Sequence, residues 1–419
     1  MLYHDWLRVV AEHGSALAVY EAGSGRSWTF RELADLANSE GSPSGIVFPS
    51  GHDIGFILTV LRAWQAGAIT CPLEVGEPPP ALLPPPFPIV HLKRTSGTTG
   101  ASRCIAFSAD QLSADANCIV RTMGLHPGCP NLGVISLAHS YGFSSLILPL
   151  LLHGIPLLLA SSPIPAALVD ASHLFADDAL TLAAVPAMWR AWHEVGAIPP
   201  NIIVAISAGA PLPLQLEEAV FAADGLKIHN FLGASECGGI AYDTSPVPRR
   251  DAQYAGSPMK NVTLQINSHG CLQVHSSAVG QCTWPESDLQ FGNGIFNSSD
   301  QAALNPEGGV RLIGRAGDMI NVAGRKFSPE TTESVLRQHP SVSECLVLGI
   351  PSGGGRGDIV TAVIESNASI SQGELRAFLQ ERLPVWQIPR HWHFVDVLAF
   401  NSRGKLSRTE WRQKLMFPR

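Results

Sequence analysis

Five short apolar runs in the middle of the chain restrict its fold most. They are LGVISL (132–137), IPLLLA (155–160), TLAAVP (181–186), IIVAISAG (202–209) and LKIHNFLG (226–233). Stretches of helical character lie between them, such as Leu212 to Ala223. Strand and helix alternating in this way imply a mostly parallel sheet covered by helices. The character changes between Gln253 and Leu312. There VTLQIN, CLQVHS and VRLIG, separated by Gly and Asn turns, read as antiparallel strands or a small barrel. A second boundary falls in GRAGDMINVAGR (314–325). Beyond it a capped helix, SPETTESVLRQH, and the strands ECLVLGI, IVTAVIES and HWHFVDV form an α+β unit of their own.

At about 150 residues per domain, 419 residues suggest two or three domains. With 45% hydrophobic and 15% charged residues the chain can bury a large core. A net charge of −7 argues against a nucleic-acid partner, which calls for a basic face. None of the 8 cysteines forms a C-x-x-C pair, so scattered thiols in a reducing compartment are expected. MLYHDWLRVVAEHG lacks the pattern of a signal peptide. The most apolar run, Leu146 to Ala160, is broken by Pro149, His153 and Pro156, so no membrane span is expected. These features read as a soluble, cytoplasmic protein.

The chemistry-bearing stretches start with TSGTTGASR (95–103). It follows the strand IVHLKR and precedes a helix opened by the capping box Ser108/Gln111. Its glycines let backbone amides turn inward, and its hydroxyls and Arg103 complete either a phosphate cradle or a surface turn. It is not a Walker A loop. In FLGASECGG (231–239), Glu236 stands among small residues, as a magnesium ligand or a solvated acid. Asp300, read at a strand end, suits the two hydroxyls of a ribose or a turn. Lys405 in NSRGKLSR reads by itself as an exposed lysine.

Taken together these pieces resemble the adenylate-forming superfamily: acyl-CoA synthetases, luciferases and peptide-synthetase adenylation domains. TSGTTGASR is similar to its phosphate loop, HSYGF (139–143) to its substrate-side segment, and SAGAPL (207–212) to its adenine-side strand end. FLGASE, FNSSD, GRAGDMINVAGRKFSP, LPVWQIP and NSRGK follow in the family's order as the acidic, ribose, hinge, Leu-Pro and lysine motifs. No motif is specific alone; eight in order are.

The resemblance implies a large domain, 1–316, of mostly parallel sheets plus a small antiparallel barrel-like region. A small mobile α+β domain, 319–419, follows a hinge at 317–318 with Asp318 at its centre. It implies ATP-dependent activation of a carboxylic acid to an acyl-adenylate, with Mg²⁺. The acyl group then passes to the thiol of CoA or of a carrier protein's phosphopantetheine. Thr95, Ser96, Gly97, Thr98, Thr99, Gly100 and Arg103 would hold phosphates. Glu236 would hold the metal, and Asp300 with Arg315 the ribose. Gly209, Ala210, Leu232, Gly233 and Ser235 would surround the nucleotide. His139, Tyr141, Gly142, Ser207 and Gly233 would shape the acid pocket. Lys405 would contact both the carboxylate and the α-phosphate.

The chain departs from the pattern at several places. Leu232 stands where an adenine-stacking aromatic is usual, leaving Phe231 or Tyr242 to supply the ring. Ser102 and Arg103 replace Pro-Lys, Ser235 replaces Thr, and Asn321 stands where lysine is common. GEPPPALLPPPFPIV shortens the approach to the phosphate loop. AHSYGFSSLILPLLLHG is apolar and resembles the acyl-CoA synthetase branch more than the amino-acid branch, which implies an aryl or fatty acid, with Asp170 and Asp177 left open as ammonium partners. An amide- or β-lactone-forming relative and a non-catalytic binding protein are the alternatives. A carrier partner would need a basic patch, with Arg249, Arg250 or Arg356 as candidates. A monomer or homodimer is expected.

Overall fold

The structure, a computed structural model, describes residues 2–39, 41–94, 104–285, 291–352, 357–366, 370–398 and 407–416. They form two compact units. The first holds residues 1–267, 273–298 and 304–311; the second holds 268–272, 299–303 and 312–419. No helix among the described residues is long and apolar enough to cross a membrane.

The first unit contains the parallel sheet that the apolar runs predict. Its strands lie in the order Leu17–Glu21, Leu157–Leu159, Asn131–Gly133, Leu180–Ala184, Ile202–Ser207, Ile228–Ala234, each parallel to the next. Leu180–Ala184 is buried along its whole length, as a strand covered on both faces must be. Two antiparallel strands, Gly238–Tyr242 and Tyr254–Pro258, extend the sheet beyond Ile228–Ala234. The chain order reverses at Asn131–Gly133. The next strand pairs on one side of it and the one after that on the other. Such a switch point opens a crevice at the carboxyl ends of the strands, where α/β sheets place their ligands.

A second sheet in this unit runs Cys282–Trp284, Cys104–Ser108, Ile89–Arg94, Ile69–Thr70, Ile46–Val47. Ile89–Arg94 pairs antiparallel with Cys104–Ser108, with Arg94 opposite Cys104. The strand Cys104–Ser108 therefore stands between segment 95–103 and the helix Ala109–Met123. That helix has the expected capping box at Ser108 and a left-handed Gly124 at its end. Its amino terminus is not the element that follows the loop directly. A helix Ile54–Ala66, capped by Asp53 and ended by Gly67, links the shorter strands.

In the second unit Val342–Pro351 pairs antiparallel with Asp358–Ser366, which pairs parallel with His391–Val395. Alternate residues of one strand serve opposite faces. Cys345 and Val347 join Leu336, Leu375 and Leu379 in one core cluster, and Leu346 and Leu348 join Leu398, Trp411 and Leu415 in another. Helices Pro329–Leu336 and Gln372–Gln380 thus cover one face, and Arg408–Met416 the other. The hinge motif forms the hairpin Ile320–Val322 with Arg325–Phe327.

Candidate active site

The carboxyl end of Asn131–Gly133 leads into residues 134–142, which turn back at a glycine. A Cβ on Gly142 would lie 2.0 Å from the Ser136 carbonyl oxygen, so only glycine permits this approach. The turn presents His139 at the start of a short helix, Ser140–Gly142, where its Nδ1 accepts from the Tyr141 N–H at 3.2 Å. His139 is exposed. A π-helical turn, Phe143–Ile147, follows. Such turns in a helix cost regular hydrogen bonding and are frequent at functional sites.

Three strand ends meet this turn. Tyr141 Oη lies 3.5 Å from the carbonyl oxygens of both Ala184 and Ile206, and burial pushes its phenol well up from its ordinary value. Ser140 Oγ lies 2.9 Å from Ser235 Oγ. Ser207 ends its strand fully buried, and its Oγ has no hydrogen-bond partner among the described residues. An unpaired buried hydroxyl is costly unless a ligand satisfies it. Gly209, at φ +85°, and Ala210 are exposed beside it.

Leu232, Gly233 and Ser235 lie on the rim of the strand Ile228–Ala234 and the turn that follows, and Glu236 is half-buried in that turn. The turn is closed by the Cys237 N–H to the Ala234 carbonyl at 3.2 Å. The Glu236 carbonyl accepts from the Gly280 N–H at 2.8 Å. No cluster of three or more metal-ligating side chains exists among the described residues. A single carboxylate still fits magnesium, which completes its shell with phosphate oxygens and water. The two aromatics that could replace Leu232 against adenine are engaged. Tyr242 is buried and stacked on His229 at 5.3 Å, and Phe231 is buried with its ring 5.9 Å from Tyr141.

In the second unit Asp300 lies inside the strand Ile295–Leu304, not at a strand end as expected. Its Oδ1 accepts from Arg315 Nε at 3.1 Å, bringing the two expected ribose residues together. The Arg315 side chain is 61% exposed, so this pair contributes little to stability. Asp318 accepts from Arg408 Nη1 at 3.3 Å, and Arg408 Nη2 reaches both oxygens of the buried Glu333 at 2.8 Å. Residues Thr95, Ser96, Gly97, Thr98, Thr99, Gly100, Ser102, Arg103, Arg356 and Lys405 lie outside the described residues.

Two features escaped the sequence reading. Lys93 and Asp115 form an ion pair that is 3% and 1% exposed, with Nζ to Oδ2 at 3.4 Å. Lys93 Nζ also donates to Ser144 Oγ at 3.1 Å and lies 4.6 Å over the Phe107 ring. A lysine within the apolar IVHLKR is the signal, since a buried cation demands a partner. The other feature is a buried network in which Lys227 pairs with Glu217 and with Asp243, and Arg249 with Glu217. Arg249 also donates to the Leu212 carbonyl at 2.8 Å, fixing the end of SAGAPL. Arg249 is therefore a core residue and not part of a surface patch.

The model of AMP-binding enzymes matches residues 77–281, and that of the AMP-binding enzyme C-terminal domain matches residues 331–405. An uncharacterised acyl–CoA ligase, YhfT of Bacillus subtilis, is 30% identical over 241 residues, 55% of this chain and 49% of the relative. The 2-succinylbenzoate–CoA ligase of Staphylococcus aureus is 29% identical over 231 residues, 53% of this chain and 46% of the relative. The chain spans about half the length of these curated relatives. The crystal structure of ATP-bound MatB from Rhodopseudomonas palustris superposes with a TM-score of 0.85 at 18% identity, covering 99% of both chains. At that identity the likeness concerns the fold.

Proposed function

The chain belongs to the AMP-binding enzymes, the adenylate-forming superfamily, and on that premise we propose that it activates a carboxylic acid with ATP and passes it to a thiol. A carboxylate oxygen attacks the α-phosphorus, the bond to pyrophosphate breaks, and an acyl-adenylate forms. The thiolate then attacks the acyl carbonyl, and AMP leaves. Negative charge grows on phosphate oxygens in the first step, so fixed donors and cations supply most of the acceleration.

The Ser140–Ser235 contact carries this reading. It joins the segment assigned to the acid, 139–142, to the turn of Glu236, at the carboxyl ends of parallel strands. His139, Tyr141 and Gly142 line the approach of the carboxylate, and Ser207 offers its unpaired hydroxyl to the bound acyl-adenylate. Gly209, Ala210, Leu232 and Gly233 flank the nucleotide. Glu236 holds Mg²⁺, which supplies charge neutralisation at the phosphates when bound. Asp300 takes the ribose hydroxyls with Arg315 behind it. Thr95 to Gly100 and Arg103 hold the β- and γ-phosphates, and Lys405 bridges the carboxylate and the α-phosphate. The small domain turns at 317–318 between the two half-reactions.

An aryl or fatty acid is the proposed substrate. The segment from Phe143 to Leu151, which follows the 134–142 turn, is apolar but for Ser144 and Ser145, and Asp170 and Asp177 are exposed. A relative acting on a succinylbenzoate supports the aryl class. CoA or a carrier's phosphopantetheine is the acceptor. All eight cysteines are free and seven are buried, which fits the cytosol. Pyrophosphate release over a panel of aryl, fatty and amino acids, with and without CoA or a loaded carrier, tests the reading. Release with an aryl or fatty acid and thioester formation on adding the thiol are expected. No release with any acid overturns it.

A further inference from the structure

The buried pair of Lys93 and Asp115 lies where the motif-bearing segments of the first unit meet. Lys93 stands two residues before segment 95–103, on the strand that leads into it. Ser144, which donates to Asp115 Oδ2 at 2.6 Å, stands two residues after Gly142. The other oxygen, Oδ1, accepts from the Gly239 N–H at 3.2 Å. The contact is close. A Cβ on Gly238 would lie 1.9 Å from that oxygen, so the strand leaving the Glu236 turn rests directly on the carboxylate. With Gly280 holding the Glu236 carbonyl, the turn is pinned on both sides of the acid.

Packing alone gives no reason for two ions here, because an apolar pair of the same shape fills a core as well or better. The carboxylate does something an apolar side chain cannot: it accepts an amide hydrogen from the turn. Lys93 Nζ, 3.4 Å from Oδ2 and equally buried, supplies the counter-charge to that carboxylate. We propose that Asp115 is a positioning residue for metal–nucleotide binding. With Lys93 as counter-ion, it holds the Gly238–Gly239 backbone so that the Glu236 carboxylate faces the metal. This rests on the reading of Glu236 as the metal-holding acid.

Neutral double variants keep the core without a lone buried charge. K93M/D115N retains an oxygen for the Gly239 N–H, and K93M/D115L removes it; K93M/D115A is the second acceptor-free variant should leucine overpack. ATP binding is measured calorimetrically with and without Mg²⁺, beside thermal unfolding. K93M/D115N is expected to keep the Mg²⁺-dependent gain in ATP affinity within about threefold of the parent. The acceptor-free variants are expected to lose it at least tenfold, with Mg²⁺-free ATP binding unchanged. E236Q is run in parallel. If E236Q loses the Mg²⁺ effect and the folded acceptor-free variant keeps it, the proposal is overturned and the reading of Glu236 stands. An unchanged E236Q overturns the reading of Glu236, and the proposal with it.

Discussion

Buried ionisable residues decide much of this protein's chemistry at the scale of single side chains. Glu217 is fully buried between Lys227 and Arg249. Removing one member of such a network leaves a cation without its counter-charge. Glu217→Ala is expected to cost about 3–5 kcal/mol, read by urea unfolding followed at tryptophan fluorescence. A loss below about 1 kcal/mol would show that water or a neighbour replaces the carboxylate. His91 shows the opposite design. Burial first, then the nearby Lys93 charge, holds its imidazole well below the ordinary value, while Thr70 Oγ1 meets its Nδ1 at 2.7 Å and Phe143 stacks on it at 4.3 Å. The native state keeps His91 neutral, and the unfolded chain takes up a proton below about pH 6.5. Stability therefore falls as the pH drops below 6.5, by up to about 1.4 kcal/mol per pH unit for this one group. His91→Gln is expected to flatten the profile between pH 6.5 and 5 by that slope. An unchanged slope would assign the acid sensitivity to other histidines held low by burial, such as His52 and His229.

The turns between elements carry most of the proposed site. Gly142→Ala places a methyl carbon against the Ser136 carbonyl, a backbone atom that cannot swing aside. The 134–142 turn must open, and His139, Ser140 and Tyr141 move with it. The expected outcome is a rise of tenfold or more in the KM for the acid, with the KM for ATP changed less than threefold. An equal rise in both would mean that the turn serves the whole site and not the acid pocket. At this scale local signals were readable in the chain itself. The capping box at Ser108 and the Ser328 cap of the helix in SPETTESVLRQH appear where the sequence places them. Each acts within one turn of its own helix, so neighbours do not alter it. The strand Cys104–Ser108 was not readable. It pairs with Ile89–Arg94 on one side and Cys282–Trp284 on the other, and both partners are distant in sequence or hidden behind the loop.

At the scale of the molecule the described residues form two compact units. In the second unit Arg408, three residues beyond Lys405, binds Glu333 and Asp318, the residue proposed as the hinge. Burial raises the Glu333 carboxyl above its ordinary value, and the Arg408 and Arg337 charges oppose that rise. If the unit turns between half-reactions, Lys405 serves the first alone. Lys405→Ala is expected to abolish pyrophosphate release, by a thousandfold or more, while thioester formation from a supplied acyl-adenylate falls less than tenfold. Equal losses in the two half-reactions would remove the rotation from the mechanism.

Apolar runs, caps and ordered motifs are properties of neighbouring residues, so the sequence by itself determined the α/β class, most elements and the family. Lys93 with Asp115, the engagement of Phe231 and Tyr242, the Ser207 hydroxyl without a partner among the described residues and the core role of Arg249 were settled only by the tertiary structure. Each depends on which distant strand lies alongside. The same lysine or arginine is a solvated surface charge or a buried ion according to partners that local sequence does not name.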